Sequence, residues 1–297
     1  MHRSIDTKIF SISLMTVLCV SFFAGPEITR NFKNQILFFI IPLIWPGVAH
    51  GSLDLEIAKK KGLIKNNFHI FCFLFLYILI PVVFFYLWII FPNTFFILFL
   101  LLSYFHFGIS DNLSQKSVNK YFEIIIRGAV IIFVPILSHN ETTIQIFTIL
   151  LANETILIHL EKYYPLLGFF LIAFLVSWIS MNIYKEGLRF FEEIVFWEIV
   201  LLITCFVIFD PLVAFFTYFC FLHSVRHMLD EKVSLNLKLD QLIIMSLPFT
   251  IATILFFSSI FYYYTFFDHN EKILSYIFVG LASLTTSHIL LVNFSKK

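Results

Sequence analysis

Apolar runs of membrane-spanning length recur along the chain, near 8–25, 35–52, 68–91, 93–110, 121–138, 165–184, 193–209, 211–229, 241–267 and 271–293. A bilayer core about 30 Å thick takes roughly 20 helical residues, so each run predicts one transmembrane helix. Pro92 and Pro211 fall in very short breaks between runs, which suits tight helix–helix connections. The stretch 141–160, ETTIQIFTILLANETILIHL, carries polar residues throughout and predicts an interfacial or re-entrant segment. The pattern as a whole predicts an all-α polytopic transmembrane helix bundle of about ten spans, with eight to ten as the range.

The basic residues orient these spans. With the N-terminus inside, fifteen lysines and arginines, among them Lys59, Lys60, Lys61, Lys185, Arg189, Arg226 and Lys232, collect at inner ends. Only Arg30, Lys33, Lys162 and Lys272 fall outside. Basic residues favour the cytoplasmic side, so both termini are expected in the cytoplasm and the protein in the inner (plasma) membrane. The first 25 residues have the basic start and apolar run of a signal peptide. Cleavage after Ala24, however, would put bulky Phe22 where small residues are usual, so we read an uncleaved first span.

Composition narrows the class. The chain is 60% hydrophobic and 13% charged, with mean hydropathy +0.91, about half the charge of an average soluble domain. No polar stretch is long enough for a soluble domain, so residues 1–297 read as a single integral membrane domain with lipid as its solvent. A net charge of +1 excludes the basic footprint of a nucleic-acid binder. Cys19, Cys72, Cys205 and Cys220 lie in apolar runs with no metal-type spacing and are expected to pack as buried thiols.

The histidines carry the candidate chemistry. His50 ends span two, in WPGVAHGSLDLEIAKKKG. His106, in SYFHFGISD, is near the end of span four, and His223 and His227, in CFLHSVRHMLD, near the end of span eight. The predicted orientation puts all four at similar depth in the inner half of the membrane. His288, in TTSHILL, is also on the inner half, whereas His139, His159 and His269 fall on the other side and His2 and His69 near the inner surface. His223 and His227 are four apart and share one helix face, a spacing that lets two imidazoles reach one ion. Ionisable groups in spans are costly and mark function. Four neutral imidazoles without thiolates suit Fe(II), zinc, copper or nickel. Asp54, one turn after His50, and Asp111, five residues after His106, are candidate outer-shell carboxylates.

Four ordered motifs, HGSLD at His50–Asp54, YFHFGISD at Tyr104–Asp111, HSVRH at His223–His227 and SHILL at Ser287–Leu291, resemble the Brp/Blh family over roughly residues 36–293. These are integral-membrane beta-carotene 15,15'-dioxygenases found with microbial rhodopsins. The chain departs from the family pattern at two places. Leu55 stands where the first motif has a second histidine, and Ser287 where the last usually has proline. By motif, the resemblance implies Fe(2+) held by His50, His106, His223 and His227, the set that depth and spacing also pick out. His288 is a further ligand or outer-shell group.

The resemblance implies oxidative cleavage of the central double bond of beta-carotene by O2, giving two molecules of retinal available to a microbial rhodopsin. Tyr104, Phe105, Phe107, Tyr218 and Phe221 flank the histidines and are the expected substrate-wall residues. Arg127 in span five and Glu198 in span seven are expected to form a buried ion pair, with Glu123 one turn before Arg127. Two other classes remain open from sequence: a haem-binding membrane electron carrier, since two histidines suffice for one haem, and a non-enzymatic transporter, although no internal repeat is evident. A di-iron oxygenase is disfavoured by the single HxxxH, and no mid-span lysine is present to carry a retinal Schiff base.

Overall fold

The computed structural model describes residues 3–25, 32–114, 117–267 and 273–294. His2, Arg30, Lys116, His269, Lys272, Lys296 and Lys297 lie outside the described residues. The described chain is all helical. In order it forms α1 (Arg3–Ala24), α2 (Phe32–Pro42), α3 (Asp54–Lys60), α4 (Asn67–Ile90), α5 (Pro92–Asp111), α6 (Ser117–Ser138) and α7 (Asn140–Ile149). There follow α8 (Glu154–Glu186), α9 (Ile194–Ile208), α10 (Pro211–Tyr218), α11 (Ser224–Leu235), α12 (Leu239–Phe267) and α13 (Ile273–Phe294).

Among the described residues nine helical stretches are long and apolar enough to cross a membrane. The tenth expected span is α9, which has 15 residues and is shorter than a full crossing. Within 141–160 the chain forms the ten-residue α7 and then a turn with Leu151 at φ 63°, before α8 begins. No helix of spanning length is confined to that stretch, since its isolated polar side chains interrupt the apolar run.

The chain divides into two compact units, each discontinuous in sequence. Unit 1 comprises Met1–Leu43, Ser103–Gln145 and Thr155–Arg226; unit 2 comprises Ile44–Leu102, Ile146–Glu154 and His227–Lys297.

In unit 1, α9 packs on α6 and α10, and α1 packs on α9, α10 and the π-helical turn Phe219–His223. One stripe of α1 is buried: Asp6, Phe10, Leu14 and Val17. That spacing of three and four residues is the signature of one helix face. Cys19 lies off the stripe and is exposed, whereas Cys205 and Cys220 are buried as expected; all four cysteines are free thiols. The end of α5 crosses α6 at two glycines, Gly108 and Gly128. A Cβ on Gly128 would sit 2.5 Å from the Tyr104 carbonyl oxygen and 2.9 Å from its ring. Small residues at such crossings let backbones approach closely where lipid supplies no hydrophobic drive between helices.

Unit 1 also buries a charge network. Arg127 donates from Nε to Glu123 Oε1 at 2.7 Å and meets Glu198 Oε1 with Nη1 at 2.7 Å. Glu123 accepts from the backbone N–H groups of Leu113 and Ser114, each at 2.8 Å, and so fixes the turn that follows α5. Arg226 binds Glu198 through two nitrogens, at 2.9 and 2.6 Å.

In unit 2, α13 packs along α4 and against α3 and α12, and α12 packs on the 3₁₀ turn Val48–Gly51. α4 is apolar on all sides, and 11% of its most apolar window is buried, which leaves most of it facing lipid. Ala49, Leu53, Met228 and Leu242 form a small apolar core beside His50.

Two outcomes follow from this packing. Gly128→Ala forces α5 and α6 apart and lowers stability by about 1–3 kcal/mol, the usual range for overpacking; thermal unfolding in lipid nanodiscs measures it. Arg127→Met strands Glu123 and Glu198 without one of their cations, at a cost of about 3–5 kcal/mol for a broken buried pair. Folded yield by size-exclusion chromatography should fall sharply, and a wild-type yield and melting temperature would show the pair to be dispensable.

Candidate metal centre

The chain reaches His50 and His223 through irregular helical segments. Before His223, α10 widens into the π-helical turn Phe219–His223. One extra residue per turn rotates the following side chains, and such turns cluster at functional sites. Before His50, Pro42 and Pro46 interrupt the helix, Trp45 is extended (φ −144°, ψ 121°), and His50 is carried on the 3₁₀ turn Val48–Gly51. A proline removes a donor and displaces the carbonyl four residues back, so span two does not run as one regular helix to His50.

In unit 1, His106 and His223 lie together, ring centroids 5.1 Å apart, both buried. Asp111, at the end of α5, faces His223: Oδ1 is 3.1 Å from His223 Nδ1, and Oδ2 accepts from the Tyr218 hydroxyl at 2.5 Å. An ionised carboxylate at Nδ1 places the ring proton there and leaves Nε2 as the metal-binding type of nitrogen. Phe107 meets the His223 ring edge-on at 4.8 Å and Phe219 stacks on it at 5.8 Å, an apolar cover.

In unit 2, three imidazoles cluster. The ring of His288 lies 4.8 Å from both His50 and His227, and those two are 5.9 Å apart. Asp54 Oδ2 is 2.9 Å from His288 Nδ1 and accepts from the Tyr77 hydroxyl at 2.5 Å. His50 Nδ1 instead contacts the carbonyl of Gly47. His227 Nε2 lies 3.2 Å from Glu231 Oε1, one turn along α11. Donor atoms of Asp54, His227 and His288 all fall within 4.8 Å of one another. Beyond the helix end, burial pushes the Lys61 ammonium below its ordinary value, and the Asp54 charge opposes that drop.

The same construction therefore occurs in each unit: one tyrosine hydroxyl and one imidazole on a single buried aspartate, Tyr218–Asp111–His223 and Tyr77–Asp54–His288. This is how a carboxylate fixes the ring orientation of a metal-bound histidine. Neutral imidazoles with carboxylates and no thiolate are donors suited to Fe(II). Charge agrees: unit 1 buries four carboxylates (Asp6, Asp111, Glu123, Glu198) with two guanidinium groups (Arg127, Arg226), an excess that a cation beside Asp111 would offset. The residues present fit a ferrous ion.

Asp54 does not hold His50, the pairing that its position one turn later suggested; the chain brings His288 to it from 234 residues away. Of the expected wall residues, Phe107 and Tyr218 touch His223. Tyr104 packs on Phe133 and donates to the Ile125 carbonyl at 2.8 Å, and Phe105 is 49% exposed. Successive helical positions turn by about 100°, so Tyr104, Phe105 and Phe107 cannot all face one centre. Phe221 lines an apolar cavity of about 230 Å³ with Val17, Phe38, Phe39 and Pro42, below the roughly 300–1,000 Å³ of ligand pockets.

Sequence reasoning missed Asp6, Tyr77, Arg226 and Glu231. Glu231 was legible, four residues after His227 on the same face. Arg226 had been assigned to an inner helix end, although its place three residues after His223 gives it that histidine's face. Tyr77, inside a Phe-rich run, gave no signal.

Comparison with known proteins places this geometry in context. A family model described as beta-carotene 15,15'-dioxygenase matches residues 41–296, which include all the motif histidines. Over 263 residues the chain is 30% identical to the beta-carotene 15,15'-dioxygenase of uncultured marine bacterium 66A03, covering 85% of this chain and 90% of that protein. No solved structure matches. The chain belongs to the beta-carotene 15,15'-dioxygenase family.

Proposed function

We propose that this protein cleaves the central 15,15' double bond of beta-carotene with O2, yielding two molecules of all-trans-retinal, in the inner (plasma) membrane. The observation that carries the reading is the paired Tyr–Asp–His construction in a chain of this family. In this reading Fe(2+) is held by the motif histidines His50, His106, His223 and His227. Asp111 and Asp54 act as orienting carboxylates, and His288 is either a further ligand or an orienting group.

When bound, ferrous iron supplies the electrons that make O2 reactive toward a polyene. The chain's own residues do the rest. Asp111 keeps the proton of His223 on Nδ1, and Tyr218 holds Asp111 in the matching position. Asp54 and Tyr77 do the same for His288. Phe107 and Phe219 cover His223 and exclude water. The substrate, a long rigid hydrocarbon, is dissolved in the bilayer that surrounds the apolar helices, so it need not be extracted through water. Retinal, the product, also partitions into lipid, where a microbial rhodopsin can take it up.

Expression in a bacterium that makes beta-carotene, followed by chromatography of the pigments, tests the reading. Wild type should deplete carotene and accumulate retinal, and His223→Ala should abolish both changes. Unequal apocarotenals would mean another bond is cut. Unchanged carotene with folded, iron-loaded protein would reject the dioxygenase reading, and an intense reduced-minus-oxidised spectrum would point to haem. Asp111→Asn keeps the shape but loses the negative charge and one of the two acceptor oxygens that meet His223 and Tyr218, and should lower the turnover of purified enzyme by about 10–100-fold, as for other orienting partners of metal ligands.

A further inference from the structure

We infer that the first helix belongs to the metal centre's support: Asp6 on α1 positions His223 through Arg226 and Asp111. The inference rests on the reading of His223 as a ligand. The family match begins at residue 41, so α1 lies outside it.

The chain of contacts is continuous and lies wholly in unit 1. A carboxylate on an apolar helix is costly in lipid unless a partner meets it. Asp6 is 2% exposed, and its Oδ2 accepts from Arg226 Nε at 2.6 Å. Its neighbour Thr7 donates its hydroxyl hydrogen to Glu198. The Arg226 fork is then fully directed: Nε to Asp6, Nη2 to Glu198, and Nη1 to Glu198 and, at 2.8 Å, to the Asp111 carbonyl. That carbonyl terminates α5, where a helix leaves its last acceptors without intrahelical donors. The same residue's carboxylate faces His223 Nδ1. Glu198 alone would leave the guanidinium free to pivot about its two contacts. Asp6, bound to the third nitrogen, removes that freedom and fixes the backbone from which Asp111 reaches the imidazole. Asp6 is thus a positioning residue, and its effect should appear in metal affinity and ligand field as well as in stability.

Phe10 separates the two roles. It lies one turn further along α1 on the same buried face, fully buried and wholly apolar. The full-length protein in nanodiscs, stripped of metal, is titrated with Co(II), whose visible absorption reports the coordination sphere. Wild type, His223→Ala, Asp6→Asn, Asp6→Glu and Phe10→Ala are compared, each with its melting temperature. We expect wild type to bind Co(II) and His223→Ala to lose it. Asp6→Asn should bind about 10–100-fold more weakly with a shifted spectrum, and Asp6→Glu should recover part of the loss. Phe10→Ala should melt earlier with unchanged affinity and spectrum. If Asp6→Asn matches Phe10→Ala, melting earlier but binding as wild type does, the positioning role is overturned while the metal reading stands. If Asp6→Asn does not fold, Asp6→Ser, which likewise lacks the carboxylate, takes its place: wild-type affinity and spectrum overturn the role. If wild type shows no His223-dependent Co(II) binding, the metal reading itself falls and this inference with it.

Discussion

An ionised side chain inside a lipid-bound bundle must find its counter-charge within the protein, and in unit 1 that requirement converges on Arg226. Its guanidinium takes a carboxylate from α1, a carboxylate from α9 and a carbonyl from the end of α5. Replacing a buried pair by apolar groups is often neutral or stabilising, so such a network is a poor device for stability alone. What it supplies is direction. Each contact is directional where an apolar contact is not, and the helices that carry the contacts are held in one register. Arg127 repeats the arrangement with Glu123 and Glu198.

Unit 2 reaches a similar end differently. Asp54 is satisfied by a phenol and an imidazole, and Glu231 lies beside His227, with no arginine among their described contacts. The resulting three-imidazole cluster is compact because Pro42, Pro46 and the 3₁₀ turn bring His50 off the regular helical path. Irregular backbone lies at one motif histidine of each unit, His223 and His50, while His106 and His288 stand on regular helices, and the long apolar helices serve as the scaffold. That division fits a membrane protein, in which broken helix is tolerated only where protein surrounds it.

The fold was legible because the bilayer imposes a length on apolar segments and the breaks between them are sharp. Eight of the ten apolar runs correspond to single described helices, of which α9 is the short one, whereas 35–52 and 211–229 are each broken by irregular turns. The histidine motifs were legible because a costly polar group in an apolar run stands out. Pairing across the chain was not. Nothing local to HGSLD announces that Asp54 meets His288, since i and i+4 neighbours are visible in sequence and tertiary partners are not. For the same reason nothing in the sequence singled out Asp6. Aromatic walls were poorly legible because phenylalanine serves lipid-facing and buried surfaces alike, as Phe105 and Phe107 show side by side.

The discontinuity of the two units has a consequence in time. Asp6 emerges from the ribosome 220 residues before Arg226, and Asp54 precedes His288 by 234. At about 5–20 residues per second, each carboxylate waits roughly ten seconds or longer for its partner. Unit 1 has all its segments once Arg226 is made, whereas unit 2 lacks α13 until translation is nearly finished. The early carboxylates must therefore be sheltered during insertion, in the translocon channel, at the headgroup boundary or in protonated form, until the chain that neutralises them arrives.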